Sequence, residues 1–464
     1  MFARAILLAG LSLLAALPSH AADLFATTTT YEIFGSTALL DMESPFAGVL
    51  DPYTIHSDAV ARQQGRYLYI VNRLFADNVL VLDAADSYSV VTQFSVASAG
   101  LNPRDIEAIT PDRAYVTLYE SNSILICNPL TGAMLGSIDL SAFADDDGLC
   151  EMDQMARVGD RVFVAVQAME RRTSPWSTTG SSGLVVIDTA TDAVVDVDPL
   201  TPELDAIALT GQNPYWRMHF DGRLGRLLLI TSGSFQLRDG GLEVVNPFSL
   251  ESEGFLIDES DLGAELLDFA VVDDARGWAL TNDAQFNTCL VAFDPSTGSV
   301  APPIYCTNGF HLSDLELSLD GRLFVSDRTP SNPGVRVFDA ADGAALAGPI
   351  STGLPPFDLV LVEGTATQAP PVIAGARLFA TPTPFNPRVE LQLVDWPDGR
   401  ATPPVDVFDA RGRRVVTLRG SEGGNGPRYE WDGRDERGVE SASGTYHARV
   451  RAASGPARSL VLVR

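Results

Sequence analysis

Residues Asn78–Asp83, NVLVLD, are a short run of β-branched and other apolar residues that ends in an acidic residue. Similar runs recur along the chain, and each ends in Asp or Asn. They are TALLD (ending at Asp41), NVLVLD (Asp83), SILICN (Asn128), GLVVID (Asp188), GLEVVN (Asn246), CLVAFD (Asp294) and GVRVFD (Asp339). Successive ends are 42 to 60 residues apart, and repeats of this length with several strands each are typical of a β-propeller. Seven copies predict seven blades.

The second repeat shows the blade that we expect, with four strands in chain order. They are an inner strand Asp58–Arg62, a second strand Arg66–Asn72, a third strand Asn78–Asp83 and an outer strand Val90–Val96. The last repeat has an additional strand, Phe357–Val362 (FDLVLV), whereas the first repeat lacks an inner one. Pairing of this strand beside Thr27–Asp41 would close the ring and remove an open sheet edge. We therefore predict an all-β fold that begins with a closed, seven-bladed β-propeller over residues 22–364.

Three segments of the predicted propeller resemble YVTN-type β-propeller repeats. They are RYLYIVN (Arg66–Asn72), GLNPRDIEAI (Gly100–Ile109) and LVVIDTATDAVVDV (Leu184–Val197). The resemblance extends over about Tyr31–Glu363, although most blades match only the Val-x-Asp strand. It implies an exported propeller of the kind found among surface and binding proteins, and it implies no fixed chemistry.

The N-terminus has the pattern of a signal peptide, residues 1–21. Arg4 is followed by the apolar run Ile6–Leu17, and Ser19-His20-Ala21 offers a small–x–small cleavage site. An uncleaved anchor is the alternative, but the run is short for a membrane span and no later stretch reaches ~18 apolar residues. We therefore expect a secreted or cell-surface protein with no transmembrane helix in the mature chain.

Charge excludes several classes of function. The chain has a formal charge of −28 and a pI near 4.4, and all 32 of its basic residues are Arg. The absence of Lys excludes a Schiff-base lysine and the P-loop lysine. The acidity argues against a nucleic-acid partner, because phosphate binding requires a basic surface.

Composition changes after the segment TATQAPP. Residues 365–371 are predicted to be a linker, and residues 372–464 carry a net charge of +3 where residues 22–371 carry −32. The last part contains PTPFNP (Pro382–Pro387), VDVFDARGRRVVTL (Val405–Leu418), WDGRDERG (Trp431–Gly438) and SGTYHARV (Ser443–Val450).

These four motifs resemble the FlgD-like immunoglobulin-like domain, which overlaps the C-terminal sorting domains of type IX-like secretion. The resemblance implies a partner in the export or surface machinery. The strand and turn pattern independently predicts a small antiparallel sandwich. Trp431 and Tyr446 are expected in its core.

Export makes the four cysteines candidates for disulfide bonds. Cys289 and Cys306 are 17 residues apart and flank one predicted hairpin, so we expect them to pair. Cys127–Cys150 then follows by elimination.

Each predicted inner strand begins near an acidic residue, except in the fifth copy, where Trp216 and Arg217 occupy that place. The acidic residues are Asp58, Asp105, Asp153, Asp268, Asp314 and Asp358. Asp at a strand start commonly accepts hydrogen bonds from neighbouring backbone N–H groups, which would tie the blades together. Alternatively, the carboxylates form a cation site at the channel mouth, with Ca²⁺ as the candidate ion, because clustered oxygens suit such ions.

Other residues favour the same face as a ligand-binding site. His56, His219 and His311 lie near inner-strand starts, and the two longest insertions, Ala168–Gly183 and Asp196–Pro214, fall on this side. The aromatic residues expected there are Trp176, Tyr215, Trp216, Phe235, Phe286 and Phe310. Arg73 and Arg328 follow the second strands of their blades, where they would bind a carboxylate or phosphate or pair with Asp.

No catalytic motif such as G-x-S-x-G, H-E-x-x-H or Walker A is present. We therefore expect a non-enzymatic module that binds a small-molecule or protein ligand at the channel mouth. The ligand-binding residues proposed are His56, Asp58, Asp105, Asp153, Trp216, Arg217, Asp268, His311, Asp314 and Asp358, and no certain cofactor is assigned. The alternative is a lactonase- or phytase-like, metal-dependent hydrolase with Asp and His ligands at the mouth. A structural surface-layer component is a third hypothesis.

Overall fold

The computed structural model describes residues 23–42, 46, 48–96, 98–362, 377–382, 385–394, 402–409, 414–421, 426–450 and 457–464. The predicted signal peptide (residues 1–21) and linker (residues 365–371) lie outside the described residues. The strands up to the fourth blade are β1 (Asp23–Thr28), β2 (Phe34–Asp41), β3 (Gly48–His56), β4 (Val60–Gln64), β5 (Tyr67–Asn72), β6 (Asn78–Asp83), β7 (Ser89–Ser95), β8 (Pro103–Thr110), β9 (Arg113–Leu118), β10 (Ser123–Cys127), β11 (Met134–Asp139), β12 (Met152–Val158), β13 (Arg161–Val166), β14 (Met169–Glu170), β15 (Ser177–Thr178), β16 (Gly183–Asp188), β17 (Ala193–Val195) and β18 (Ile207–Ala208).

The strands that complete the propeller are β19 (Pro214–Asp221), β20 (Arg226–Thr231), β21 (Gly241–Asn246), β22 (Glu251–Asp258), β23 (Glu265–Asp273), β24 (Arg276–Asn282), β25 (Thr288–Phe293), β26 (Tyr305–Thr307), β27 (Leu312–Leu317), β28 (Arg322–Asp327), β29 (Gly334–Asp339), β30 (Ala345–Ile350) and β31 (Pro356–Val362). Helices are short. They are α1 (Glu259–Leu262) and two 3₁₀ turns, Ala84–Asp86 and Ser141–Phe143.

Seven antiparallel sheets form the blades. From the inner strand outward, blades 1 to 7 are β31-β1-β2-β3, β4-β5-β6-β7, β8-β9-β10-β11, β12-β13-β16-β17, β19-β20-β21-β22, β23-β24-β25-β26 and β27-β28-β29-β30. β18 also pairs with β16, and β14 and β15 form a separate hairpin. The third strand of each blade carries the run that the sequence repeats, and it is buried on both sides because blades pack face to face.

The recurrent Asp or Asn after the third strand has a local cause. Its side-chain oxygen accepts a hydrogen bond from the backbone N–H two residues later. This occurs at Asp83, Asn128, Asp188, Asn246, Asp294 and Asp339, with N···O distances of 2.8 to 3.0 Å. Such Asx turns end the strand and start the connection to the outer strand.

The ring closes through the last strand of the propeller, as predicted. β31 pairs antiparallel with β1, from Asp23 opposite Val362 to Thr28 opposite Pro356. β31 also lies beside β4 and β27, the inner strands of blades 2 and 7. The strand that it joins is earlier than expected, since Asp23–Thr28 rather than Thr27–Asp41 provides the partner.

The C-terminal part is a small sandwich of two sheets, β32-β33-β36 and β35-β34-β37-β38. Its strands are β32 (Arg377–Thr381), β33 (Val389–Val394), β34 (Val405–Asp409), β35 (Arg414–Leu418), β36 (Arg428–Trp431), β37 (Gly444–Val450) and β38 (Ala457–Leu462). Trp431 and Tyr446 are buried in its core, with their ring centroids 4.9 Å apart, as predicted. The fold is therefore all-β, a seven-bladed propeller followed by an immunoglobulin-like sandwich.

One of the two predicted disulfides is confirmed. Cys289 and Cys306 face each other across β25 and β26 and are bonded. The Cys127–Cys150 prediction is wrong, because both thiols are free and buried. Cys127 lies at the end of β10, in the core between blades 2 and 3, whereas Cys150 precedes β12 and packs in the core between blades 3 and 4. The spacing of the cysteines in the sequence does not reveal that the sheet of blade 3 lies between them.

Candidate functional site

The seven blades can be aligned by one residue pair. In each blade, the fourth residue of the second strand lies opposite one residue of the inner strand. The inner-strand residue directly before this paired residue is, in blades 1 to 7 in turn, Asp358, Val60, Asp105, Gln154, Arg217, Asp268 and Asp314. Four predicted Asp residues and Arg217 therefore occupy equivalent places. Asp153 lies one residue earlier and Asp58 two residues earlier than this place, although β8 and β12 carry the same bulge.

Five of the six Asp side chains join neighbouring blades. Each accepts a hydrogen bond from a backbone N–H on the inner strand of the next blade. The pairs are Asp358 with Ala61, Asp105 with Met155, Asp153 with Trp216, Asp268 with Leu315 and Asp314 with Leu359, at 2.7 to 3.0 Å. Hydrogen bonds to charged groups contribute about 1.5–3 kcal/mol each. These carboxylates are well placed to fasten the ring.

Two arginines cross the central channel and pair with the same carboxylates. Arg217 contacts Asp268, Asp314 and Glu316 at 2.8, 2.9 and 2.8 Å. On the other side, Arg62 donates to Asp105 at 2.8 Å and lies 4.0 Å from Asp358. The channel is therefore a network of compensated buried charges.

Carboxylates outnumber guanidinium groups in this network, and burial favours the neutral form of some of them. Burial raises the pKa of Asp314 and of Glu316, and Arg217 only partly opposes the effect. On blade 3, burial and the charge of Asp105 raise the pKa of Glu107 to about 8. Burial works to lower the pKa of Arg217, but its carboxylate neighbours raise it overall. The net charge of the channel therefore depends on pH, although its arginines stay charged.

A cavity of about 180 Å³ lies in the channel, lined by Arg62, Gln154, Arg217, His219, Glu316 and Asp358 among others. His219 is half-buried and stacks on Phe269, with centroids 5.1 Å apart. Burial, followed by the charge of Arg217, lowers the pKa of His219 to about 4, so the imidazole is neutral at physiological pH. This places His219 inside the channel, deeper than the strand start expected from the sequence.

The geometry favours fastening over cation binding at the Asp residues. Their oxygens already accept backbone N–H groups and guanidinium donors, which occupy the positions that a metal ion would need. Within the described ranges, no group of three or more His, Cys, Asp or Glu side chains is arranged to hold a metal ion.

Asp58 and His56 belong to the mouth of the channel. The Asp58 carboxylate pairs with Arg73 at 2.6 Å, and the backbone N–H of Asp58 donates to His56 Nδ1 at 3.2 Å. Burial lowers the pKa of His56, partly offset by Asp58. The side of the propeller at which the inner strands begin is called the upper face below. Both residues lie on it.

Arginines alternate with aromatic rings across the upper face. This arginine–aromatic row consists, in order, of Phe310, Arg328, Phe357, Arg73, Trp216, Tyr215, Arg104, Tyr119, Arg171 and Trp176. Successive members lie 5.1 to 6.0 Å apart, measured from guanidinium carbon to ring centroid or between centroids. Cation–π contacts of this kind hold guanidinium groups in place without using their in-plane N–H donors. Arg73, Arg104 and Arg171 also donate to carboxylates, whereas Arg328 donates to no described carboxylate.

Exposed aromatic side chains are concentrated on the same side. In the described part of the propeller, nine are well exposed, and all except Phe248 belong to upper-face connections or strand starts. The eight are Tyr31, Phe34, Phe75, Trp176, Tyr215, Phe235, Phe286 and Phe310. Such an asymmetric distribution makes the upper face the candidate binding surface.

Sequence reasoning found part of this surface. It named Trp176, Tyr215, Trp216 and Phe310. It missed Tyr31, Arg104, Tyr119, Arg171 and Phe357 as members of the mouth. A signal existed for two of them, since Arg104 and Phe357 directly precede the Asp residues of their inner strands. His311 was expected there and lies beside the row, where its backbone oxygen accepts the Arg328 N–H at 2.9 Å.

Comparison with known proteins supports the fold. No protein-family model and no curated protein matches the sequence. A 6-phosphogluconolactonase-like protein from Bacteroides fragilis is 13% identical with a TM-score of 0.52, covering 75% of this chain and 99% of its own. A protein from Lactobacillus plantarum is 12% identical with a TM-score of 0.52, covering 74% and 99%. Identities this low indicate a shared architecture alone.

The fold and the site together define a class, a β-propeller with a charged channel and an aromatic, arginine-rich mouth on one face. In the described ranges, no helix is long and apolar enough to span a membrane.

Proposed function

We propose that this protein is an exported, non-enzymatic binding module that captures an anionic ligand with an apolar body on the upper face. The observation that carries the proposal is the arginine–aromatic row. Guanidinium groups supply directed donors for an anion, and the rings between them supply flat apolar surface. Binding sites typically combine a largely apolar lining with a few convergent polar groups.

The sign of the ligand charge follows from the distribution of charge. The whole chain is strongly acidic, yet four arginines meet at the mouth, namely Arg73, Arg104, Arg171 and Arg328. Three of them already pair with carboxylates, so the positive charge that remains to attract an anion is that of Arg328.

The hydrolase alternative finds no specific support in this geometry. The Asp carboxylates that would bind its metal are engaged in blade-to-blade bonds and ion pairs. His219, the imidazole that lines the channel cavity, stacks on Phe269 and makes no hydrogen bond to a described carboxylate. We therefore retain the binding function.

The C-terminal sandwich is proposed to connect the module to the export or surface machinery. Its FlgD-like motifs carry this part of the proposal, and its buried Trp431 and Tyr446 support a structural rather than a ligand-binding role for those two rings. Export itself rests on the signal-peptide pattern of residues 1–21.

The proposal is tested with the fluorescent aromatic anion 1-anilinonaphthalene-8-sulfonate and mature chain, residues 22–464. We expect saturable fluorescence enhancement with wild type and loss of most of it when Phe75, Trp176 and Phe235 are all changed to Ala. The control changes two exposed residues of the opposite face, Phe248→Ala and Leu319→Ala. No saturable binding, or an equal loss in the control, would refute the proposed function.

A further inference from the structure

We infer that Arg328 is the anchor for a monocarboxylate ligand that carries a flat apolar ring. This inference rests on the proposed function and specifies the ligand chemistry of the upper face. It is carried by the burial of Arg328, by its lack of a partner and by the rings around it.

Arg328 differs from the other buried arginines. Three arginines in the described ranges are almost completely buried, Arg73, Arg104 and Arg328. Arg73 pairs with Asp58 at 2.6 Å and Arg104 with Asp153 at 2.8 Å. The Arg328 side chain, only 7% exposed, makes no hydrogen bond or ion pair with any described residue, and its Nε is buried without an acceptor. An uncompensated buried charge is costly, so its retention indicates that the counter-ion comes from outside the chain.

The adjacent carboxylate is not available to Arg328. Asp327 accepts from Arg336 at 2.6 Å and from the Tyr305 hydroxyl at 2.8 Å, on the other side of β28. Alternation along the strand directs Arg328 away from it. Burial lowers the pKa of Arg328, and the charges of Tyr31 and Asp314 partly oppose this decrease. A guanidinium group nevertheless remains protonated in proteins. Asp314 is itself held by Arg217.

Three rings surround the guanidinium group. Its carbon lies 5.9 Å from the centroid of Tyr31, 5.6 Å from Phe310 and 5.9 Å from Phe357. Ring faces stabilise the cation but accept no strong in-plane N–H bonds. The donor edge of Arg328 thus remains unused, and it matches the two oxygens of a carboxylate. Tyr31 and Phe310 are 60% and 47% exposed, so a ligand ring has apolar surface to pack on.

The balance of charge favours a monoanion. Arg73 approaches the same Phe357 ring to 5.8 Å, but Asp58 already neutralises it. One positive charge is left uncompensated, and the chain as a whole carries −28. A bound dianion such as phosphate would leave one negative charge without a cationic partner in a protein that is already strongly acidic. Hence a carboxylate fits better than a phosphate.

The test measures binding of benzoate, benzamide and inorganic phosphate to the mature chain by calorimetric or NMR titration. We expect benzoate to bind at least tenfold more tightly than its neutral analogue benzamide or phosphate. Arg328→Gln should weaken benzoate about tenfold or more, as expected for a lost charge-assisted pair. The matched control is Arg238→Gln, which removes the same charge from an exposed position of the same face and should change affinity less than twofold.

Thermal unfolding separates a ligand anchor from a structural arginine. Arg328→Gln should leave the Tm of the free protein unchanged or raise it, because an unpaired buried charge is removed. Benzoate should raise the Tm of wild type and not that of the variant. A lower Tm with unchanged benzoate affinity, or phosphate binding tighter than benzoate, would overturn the inference. If benzoate does not bind but 1-anilinonaphthalene-8-sulfonate binds the upper face, the proposed function is supported and only the assignment of Arg328 is refuted.

Discussion

The channel and the mouth above it both contain buried arginines, but their surroundings differ. In the channel, Arg217 contacts three carboxylates and Arg62 contacts two. At the mouth, Arg328 contacts three aromatic rings and no described carboxylate. In the first arrangement every guanidinium group has carboxylate partners from the chain itself, whereas in the second Arg328 has none among the described residues. The same residue type therefore serves cohesion at one level of the propeller and, in the function we propose, binding at the next.

The largest expected effect comes from removing a compensated arginine. Arg217→Met leaves Asp268, Asp314 and Glu316 without their cation, and breaking such a buried set costs about 3–5 kcal/mol of unfolding free energy. Urea unfolding at pH 7.5 measures it, with Arg238→Gln as the control. The loss should shrink at pH 5, because burial raises the pKa of Asp314 and of Glu316 and so favours their neutral forms at lower pH. If Arg217→Met lowered the free energy of unfolding no more than Arg328→Gln does, the channel and the mouth would not differ in the way described.

A smaller effect is expected from one blade-to-blade bond. Asp358→Ala deprives the Ala61 N–H of its acceptor at 2.7 Å, and an unsatisfied buried donor costs about 1–3 kcal/mol. Benzoate affinity should stay within twofold of wild type, although Phe357 next to it belongs to the mouth. Asp358→Asn keeps an oxygen acceptor and serves as the conservative comparison. Loss of benzoate binding in Asp358→Ala without loss of stability would show that the channel and mouth act as one site.

The last effect concerns pH, and it is the smallest for a change of one pH unit. Glu107 has a folded pKa of about 8 against an ordinary value near 4.5, so between these values the folded chain holds a proton that the unfolded chain releases. The free energy of unfolding should therefore fall as pH rises from about 5 to 8, by at most about 1.4 kcal/mol per unit for one proton. His219 acts in the opposite sense, but only as pH falls below about 6.5.

Comparison of urea midpoints at pH 5.5 and 8 for wild type and Glu107→Gln tests this dependence. The variant should show a flatter profile, because the amide does not titrate. Benzoate affinity should change little over the same range, since Arg328 keeps its charge. An identical pH profile in both proteins would contradict the assignment to Glu107.

Much of the fold could be predicted because it depends on local patterns. The apolar run before Asp83 and its counterparts make buried third strands, and the terminal Asp or Asn makes a turn with its own backbone. The extra strand before Glu363 indicated closure, and β31 does pair with β1. The hairpin that bears Cys289 and Cys306 likewise depends on residues close in sequence.

The candidate site was predicted less completely because it depends on register. The inner strands of blades 3 and 4 carry the same bulge, yet Asp105 lies one position later in its strand than Asp153 does in its own, and spacing in the sequence does not reveal this register. Cys127 and Cys150 are close in sequence but packed in different inter-blade cores. These features follow from which face of a strand meets which neighbour.

By itself, the sequence determined the number of blades, the turn that ends each third strand, the closure of the ring and the core of the C-terminal sandwich. Each of these depends on residues near one another or on a repeated pattern. Only the tertiary structure decided which arginines are compensated, because the partners of Arg217 and Arg328 come from several blades. Electrostatic compensation and ring contacts depend on distance in space, and closure of the propeller brings together residues as far apart as Tyr31 and Phe357.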